Sequence, residues 1–125
     1  MKINVCMMLT LCSVILWTAC SSSSNLIYFV SDRDGQLDIY SIDPESGEEV
    51  NVTGTAEDEY DIVLSPDRKS MAFSVGSKKS SSVDILKIKE IERFTITKGT
   101  GRFTTPRWSP DGNQIALMGD IKNKG

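Results

Sequence analysis

Asp32, Asp34 and Asp38 stand at even spacings around Gly35. Hard carboxylate oxygens at alternate positions suit a divalent cation such as calcium. The same residue types also build a strand-to-strand turn, where aspartate bonds its local backbone and glycine supplies a positive φ. The turn reading is adopted, because the corresponding loop 46 residues on keeps only Asp84. No metal is assigned, and Asp32, Asp34 and Asp38 stand as the residual metal candidate. Glu57, Asp58, Glu59 and Asp61 form a second acidic cluster. It is read as a solvated loop, with a surface for a cation or a basic partner as the alternative. Nothing places two of these carboxylates across a cleft as glycoside cleavage requires.

The nucleophilic chemistries are poorly supplied. The chain has no histidine, which removes the commonest general base and any Ser-His-Asp or Cys-His arrangement within it. It has no Gly-x-Ser-x-Gly elbow, no phosphate-cradling glycine loop and no paired-cysteine metal motif. We therefore assign no catalytic residue and no cofactor, and expect no enzyme activity from this chain. Asn51-Val52-Thr53 is a glycosylation sequon, idle if the source is bacterial. Over 125 residues the composition is 39% hydrophobic and 25% charged, with formal charge −3. That suits one globular domain and lacks the basic footprint needed to grip phosphates, so nucleic acid is not expected as a partner.

The N-terminus reads as an export signal. Lys2 precedes a mostly apolar run from Ile3 to Trp17, the length of a signal-peptide core and short for a membrane span. The following Thr18-Ala19-Cys20 resembles the bacterial lipobox, with Leu16 one place earlier than usual and Trp17 in its position. The resemblance implies cleavage after residue 19, lipidation of Cys20 and, in a Gram-negative host, residence in the outer membrane. Ser21 to Ser24 and Asn25 supply a polar tether. Cys6 and Cys12 would leave with the signal, so no internal disulfide is expected.

The body repeats. Ser65-Pro66-Asp67 recurs as Ser109-Pro110-Asp111, and Met71-Ala72-Phe73 recurs as Ile115-Ala116-Leu117, each after 44 residues. Ile27-Tyr28-Phe29 precedes Met71-Ala72-Phe73 by the same step, and Thr53 precedes Thr97 by it. Asp38-Ile39 matches Asp84-Ile85 at 46, which predicts a loop two residues longer in the second copy. Four short strands with turns fill such a period. Strands are predicted at Leu26–Val30, Asp38–Ile42, Val50–Thr53, Ser70–Val75, Val83–Ile88, Phe94–Thr97 and Gln114–Met118, with Ile62–Leu64 and Pro106–Trp108 leading into the Ser-Pro-Asp turns. Ile85, Ile88, Ile91 and Phe94 also fall at helical spacing, and Ser81 to Asp84 has the form of a capping box. The repeat assigns 83–94 to two strands and their turn, and it prevails.

These residues carry a resemblance. IYFVSDRDGQLDIYSID over 27–43, SPDRKSMAFSV over 65–75 and PRWSPDGNQIAL over 106–117 resemble the TolB-like β-propeller repeat. Leu64 departs from the tryptophan usual before the first Ser-Pro-Asp, and the loop 76–82 lacks the acidic glycine turn. The resemblance implies an all-β fold of four-stranded antiparallel blades. The expected organisation is a signal peptide over 1–19, the lipidated cysteine and tether over 20–25, and propeller repeats over 26–125. About two blades are present, fewer than a closed ring takes, so the ring is expected to be incomplete and the chain part of a longer propeller. Trp108 is expected to pack between blades. Ile27, Phe29, Phe73, Ile85, Phe103, Trp108 and Leu117 are expected to lack covering neighbours. In function the resemblance implies a lipid-anchored envelope scaffold that binds partner proteins. The alternative it also allows is the N-terminal propeller of a prolyl-oligopeptidase-like peptidase with its catalytic domain elsewhere.

Overall fold

The structure is a computed structural model and describes residues 25–97 and 100–121. The signal peptide, Cys20 and residues 21–24 of the tether lie outside the described residues. Nine strands and no helix occur among those described: β1 Ile27–Ser31, β2 Asp38–Ile42, β3 Glu49–Asn51, β4 Glu59–Leu64, β5 Ser70–Gly76, β6 Ser81–Lys87, β7 Glu92–Thr95, β8 Gly101–Trp108 and β9 Ile115–Ile121. The helical spacing within 83–94 is overridden. Val83, Ile85 and Leu86 are buried on β6, while Ile91 lies exposed in the turn before β7.

The strands form three successive units of antiparallel hairpins. β1, β2 and β3 make a three-stranded sheet; β4, β5, β6 and β7 make a four-stranded one; β8 and β9 begin the next. A single parallel pair, Ser81 with Arg102, links β6 to β8 and so joins the last two units in one sheet.

The register repeats at 44 with no residue inserted. Tyr40 pairs with Asn51, and Asp84 with Thr95. Ser31 pairs with Asp38, and Val75 with Ser82. Glu59 pairs with Val75, and Phe103 with Gly119. The expected two-residue insertion is therefore absent: Asp38 corresponds to Ser82, and Asp84 corresponds to Tyr40. Backbone irregularities share the period. Both β4 and β8 carry a register shift, between Tyr60 and Val63 and between Thr104 and Arg107. Asp61 and Thr105, at those shifts, have φ of 56° and 58°, a left-handed setting that marks a designed bulge. The Ser-Pro-Asp turns share their main bonds. Ser65 Oγ donates to Asp67 Oδ1 at 2.6 Å, and Ser109 Oγ to Asp111 Oδ1 at 2.5 Å. The backbone N–H of Ser65 reaches Ser70 O, and that of Ser109 reaches Gln114 O, both at 2.8 Å.

The core lies between the first two units. Ile39 of β2 packs with Met71, Phe73 and Val75 of β5 and Leu86 of β6, flanked by Tyr28, Val52, Ile62, Leu64 and Ile88. Alternate positions of each strand supply these side chains, as the pleat requires. The expectation of uncovered faces is corrected in part. Phe73, Ile85 and Phe103 are buried, Phe29, Trp108 and Leu117 are half-buried, and only Ile27 of that set is exposed. Neighbouring units cover the middle of the stack, and exposure falls on its outer surfaces and turns.

Antiparallel hairpins give the stack two rims. The near rim carries the start of β1, the turns after β2 and β6, and both Ser-Pro-Asp turns. The far rim carries the loops 32–37 and 76–80 and the starts of β4 and β8.

Candidate functional site

Two polar regions stand out among the described residues, one closed and one open. The closed region is a seam between the first two units. Glu59 has 0% exposure, which contradicts the solvated-loop reading for this residue, while Glu57, Asp58 and Asp61 are exposed. A buried carboxylate requires partners. Its Oε1 accepts from Arg93 Nη1 at 2.7 Å and from Thr55 Oγ1 at 2.8 Å, while Oε2 has no partner among the described residues. Arg93 Nε donates to Asp84 Oδ2 at 2.7 Å. Burial works against the guanidinium charge, but Asp84 and Glu59 outweigh it and raise the Arg93 pKa. The guanidinium also lies 5.1 Å from the centre of the Phe73 ring, a cation–π distance.

The first unit reaches a related arrangement with other residues. Phe29, equivalent to Phe73, stacks on Tyr40 with centroids 5.8 Å apart. Arg33 lies 5.5 Å from the Phe29 ring centre and 4.5 Å from that of Tyr40, and it pairs with Glu49. Glu49 occupies the position that Arg93 holds in the next unit. A guanidinium thus covers the equivalent phenylalanine in both units, from a loop in the first and from β7 in the second.

The residual metal candidate does not assemble. Asp34 accepts from the Tyr40 hydroxyl, and this bond raises the Tyr40 pKa. Asp38 is 1% exposed; its Oδ2 accepts from Asn51 Nδ2 at 2.9 Å and its Oδ1 from the Thr55 backbone at 3.3 Å. The Asp32 carbonyl accepts the Gly35 N–H at 2.9 Å in the turn. Among the described residues, no three acidic, histidine or cysteine side chains group as metal ligands.

The open region is a cleft of about 350 Å³ on the far rim. Leu37, Asp58, Tyr60, Asp61, Gly76, Lys78 and Arg102 line it. It lies where β4 and β8 begin. Gly76 shapes its floor: its φ is 117°, its N–H bonds Asp58 O at 2.9 Å, and a Cβ there would stand 2.7 Å from Ser80 O. Asp58 Oδ1 accepts the Leu37 N–H at 3.1 Å, and Asp61 Oδ2 accepts the Thr105 N–H at 3.2 Å. The Tyr60 hydroxyl is buried with no partner among the described residues. Two carboxylates, an ammonium and a guanidinium therefore line one opening. That set presents both signs of charge, and it contains no nucleophile–base pair.

The sequence motifs single out Asp58 and Asp61 but miss Tyr60, Lys78 and Arg102. One signal was present: Asp58 and Arg102 stand 44 residues apart with opposite charge, so the repeat stacks them. Trp108 lies where the repeat predicts, with Nε1 donating across units to Val63 O at 3.3 Å.

Neither family models nor curated proteins match this chain. Solved structures do. A protein assigned as a TolB, from Agrobacterium tumefaciens, superposes with a TM-score of 0.68 at 21% identity, over 78% of this chain and 35% of its own. TolB from Acinetobacter baumannii superposes with a TM-score of 0.66 at 20% identity, over 81% of this chain and 25% of its own. The fold is that of part of a TolB-like propeller. The three hairpin units are its blades: one complete blade of four strands between two partial ones. The chain spans about a third and a quarter of the lengths of these two proteins.

Proposed function

We propose that this chain is a non-enzymatic binding module of the cell envelope, anchored through lipid on Cys20, that takes an extended segment of a partner protein in its far-rim cleft. The cleft is the observation that supports this reading. Asp58, Asp61, Lys78 and Arg102 line one opening between blades, with Tyr60 in its wall and the Tyr60 hydroxyl buried beneath. A peptide carries both charges and a backbone donor and acceptor at each residue, so it can answer every one of these groups. The TolB-like fold supports the scaffold reading. The absence of histidine and the lack of a nucleophile–base pair in the cleft support the non-enzymatic one.

The test is site-specific photocrosslinking in the source bacterium. A crosslinker at Lys78 should capture a discrete set of envelope proteins, and Arg102→Glu should abolish that capture without altering the amount of folded protein. Capture that survives Arg102→Glu, or turnover of ester, peptide or glycoside substrates lost on mutating Asp58 or Asp61, would refute the proposal.

A further inference from the structure

The near rim carries an exposed apolar residue in an unfavourable backbone setting. Ile91, in the turn between β6 and β7, is 77% exposed with φ of 54°. A β-branched residue in the left-handed region is a genuine outlier. The equivalent turn of the first blade holds Gly47 there, at φ 75°, which adopts that setting at no steric cost. Neither core packing nor turn geometry explains an isoleucine at this position. Strain held at an exposed site points to a role outside the fold.

The surroundings indicate what Ile91 meets. Lys87 and Lys89 flank it, interspersed with Glu90 and Glu92, and the Ile88 N–H bonds Lys69 O at 2.9 Å, bringing the Ser-Pro-Asp turn alongside. An apolar tip ringed by long amphipathic side chains is suited to the boundary between headgroups and acyl chains. The chain enters the fold on the same rim. Leu26 O accepts from Arg68 Nη2 at 3.3 Å, which holds the segment before β1 against the first Ser-Pro-Asp turn. Cys20 is six residues upstream, a reach of at most about 20 Å. β5 runs from near rim to far rim over seven residues, roughly the same distance. A lipid on Cys20 therefore attaches the molecule from the near-rim side, within about one blade height of the bilayer.

We propose that the near rim lies against the lipid bilayer, with Ile91 entering its interfacial layer, so that the far-rim cleft opens away from the membrane. This rests on the lipidation of Cys20. It identifies the occupant of the exposed tip as lipid, not a protein partner.

The test uses the full-length lipidated protein in vesicles of phosphatidylethanolamine and phosphatidylglycerol. A fluorophore is placed on Ile91→Cys or, in a second protein, on Lys79→Cys of the far rim, and spin-labelled lipids serve as quenchers. Quenching several-fold stronger at position 91 than at 79 is the expected result, and Lys89→Cys should report the same rim if position 91 disturbs its turn. Equal quenching at both rims with the lipid in place would overturn the orientation while leaving the anchor intact. A position 91 shielded from both the lipid quencher and aqueous iodide would assign the tip to a protein and also overturn it. Membrane retention of Cys20→Ala, with no lipid on the wild-type cysteine, would remove the anchor and the orientation with it.

Discussion

Asp61 Oδ2 accepts the backbone N–H of Thr105 at 3.2 Å. The two residues are equivalent positions of consecutive blades, each at the bulge of the first strand of its unit and each in the left-handed region. The side chain of one bulge thus caps the backbone of the next, and the irregularity that interrupts pairing within a blade supplies a bond between blades. Asp61→Ala should lose this bond and place alanine at positive φ, for a loss of about 1–2 kcal/mol. Asp61→Gly loses the bond but relaxes the backbone, so it should cost less. Chemical denaturation of the three proteins checks the order, and equal costs would mean the cap contributes nothing.

Removing Arg93 should be more damaging. Arg93→Ala leaves the buried Glu59 and Asp84 facing each other without a counter-charge, which costs about 3 kcal/mol or more. The pair Glu59→Gln with Arg93→Met should recover part of the loss, with Asp84 still uncompensated, because the penalty arises from uncompensated charge and not from lost attraction. Denaturant midpoints for single and double variants decide this, and additive losses would contradict it.

The Ser-Pro-Asp turns predict an acid-sensitive term. The Ser65 hydroxyl lowers the pKa of Asp67, and the Ser109 hydroxyl that of Asp111, below the ordinary 3.8. A carboxyl depressed on folding stabilises fully above its unfolded pKa, and the contribution is lost as pH falls through the lower folded value. The two turns should therefore weaken only in acid below pH 3.8. Ser109→Ala should move the Asp111 titration upward and leave Asp67 in place, as followed by carboxyl NMR shifts. An unmoved Asp111 would show that the hydroxyl is not the cause.

Ile91→Gly should raise stability by about 1 kcal/mol, since glycine removes the left-handed penalty at an exposed position. Arg68 also sits where the next blade has glycine, Gly112, with φ of 59° against 73°. Arg68→Gly should gain less, because it surrenders the bond to Leu26 O. Thermal melts rank the two, and a loss at position 91 would show that its side chain packs on the protein.

Most of the architecture was legible because it repeats. Ser65-Pro66-Asp67 and Ser109-Pro110-Asp111 fixed the phase, and apolar runs such as Met71-Ala72-Phe73 named the strands beside them. The matching of Asp38-Ile39 with Asp84-Ile85 misled, because identity of two letters is weaker than register. Asp84 stands where Tyr40 stands, and the aspartate is there for Arg93. Glu59 was illegible for a related reason: in a run of four carboxylates nothing marks the one that turns inward, and its guanidinium partner lies 34 residues away. The cleft draws on Leu37, Tyr60, Lys78 and Arg102 from separate elements, and only the Asp58 to Arg102 step betrays it in one dimension.

Pairing within each blade is local. The most distant register partners of the complete blade, Ser70 and Lys87, are 17 residues apart, and what joins blades is the apolar core between them and later bonds such as that of Trp108 to Val63. Closing short loops is fast and entropically cheap. Such a chain can acquire its structure in order, one blade at a time, as it leaves the ribosome, each finished blade serving as the template on which the next condenses.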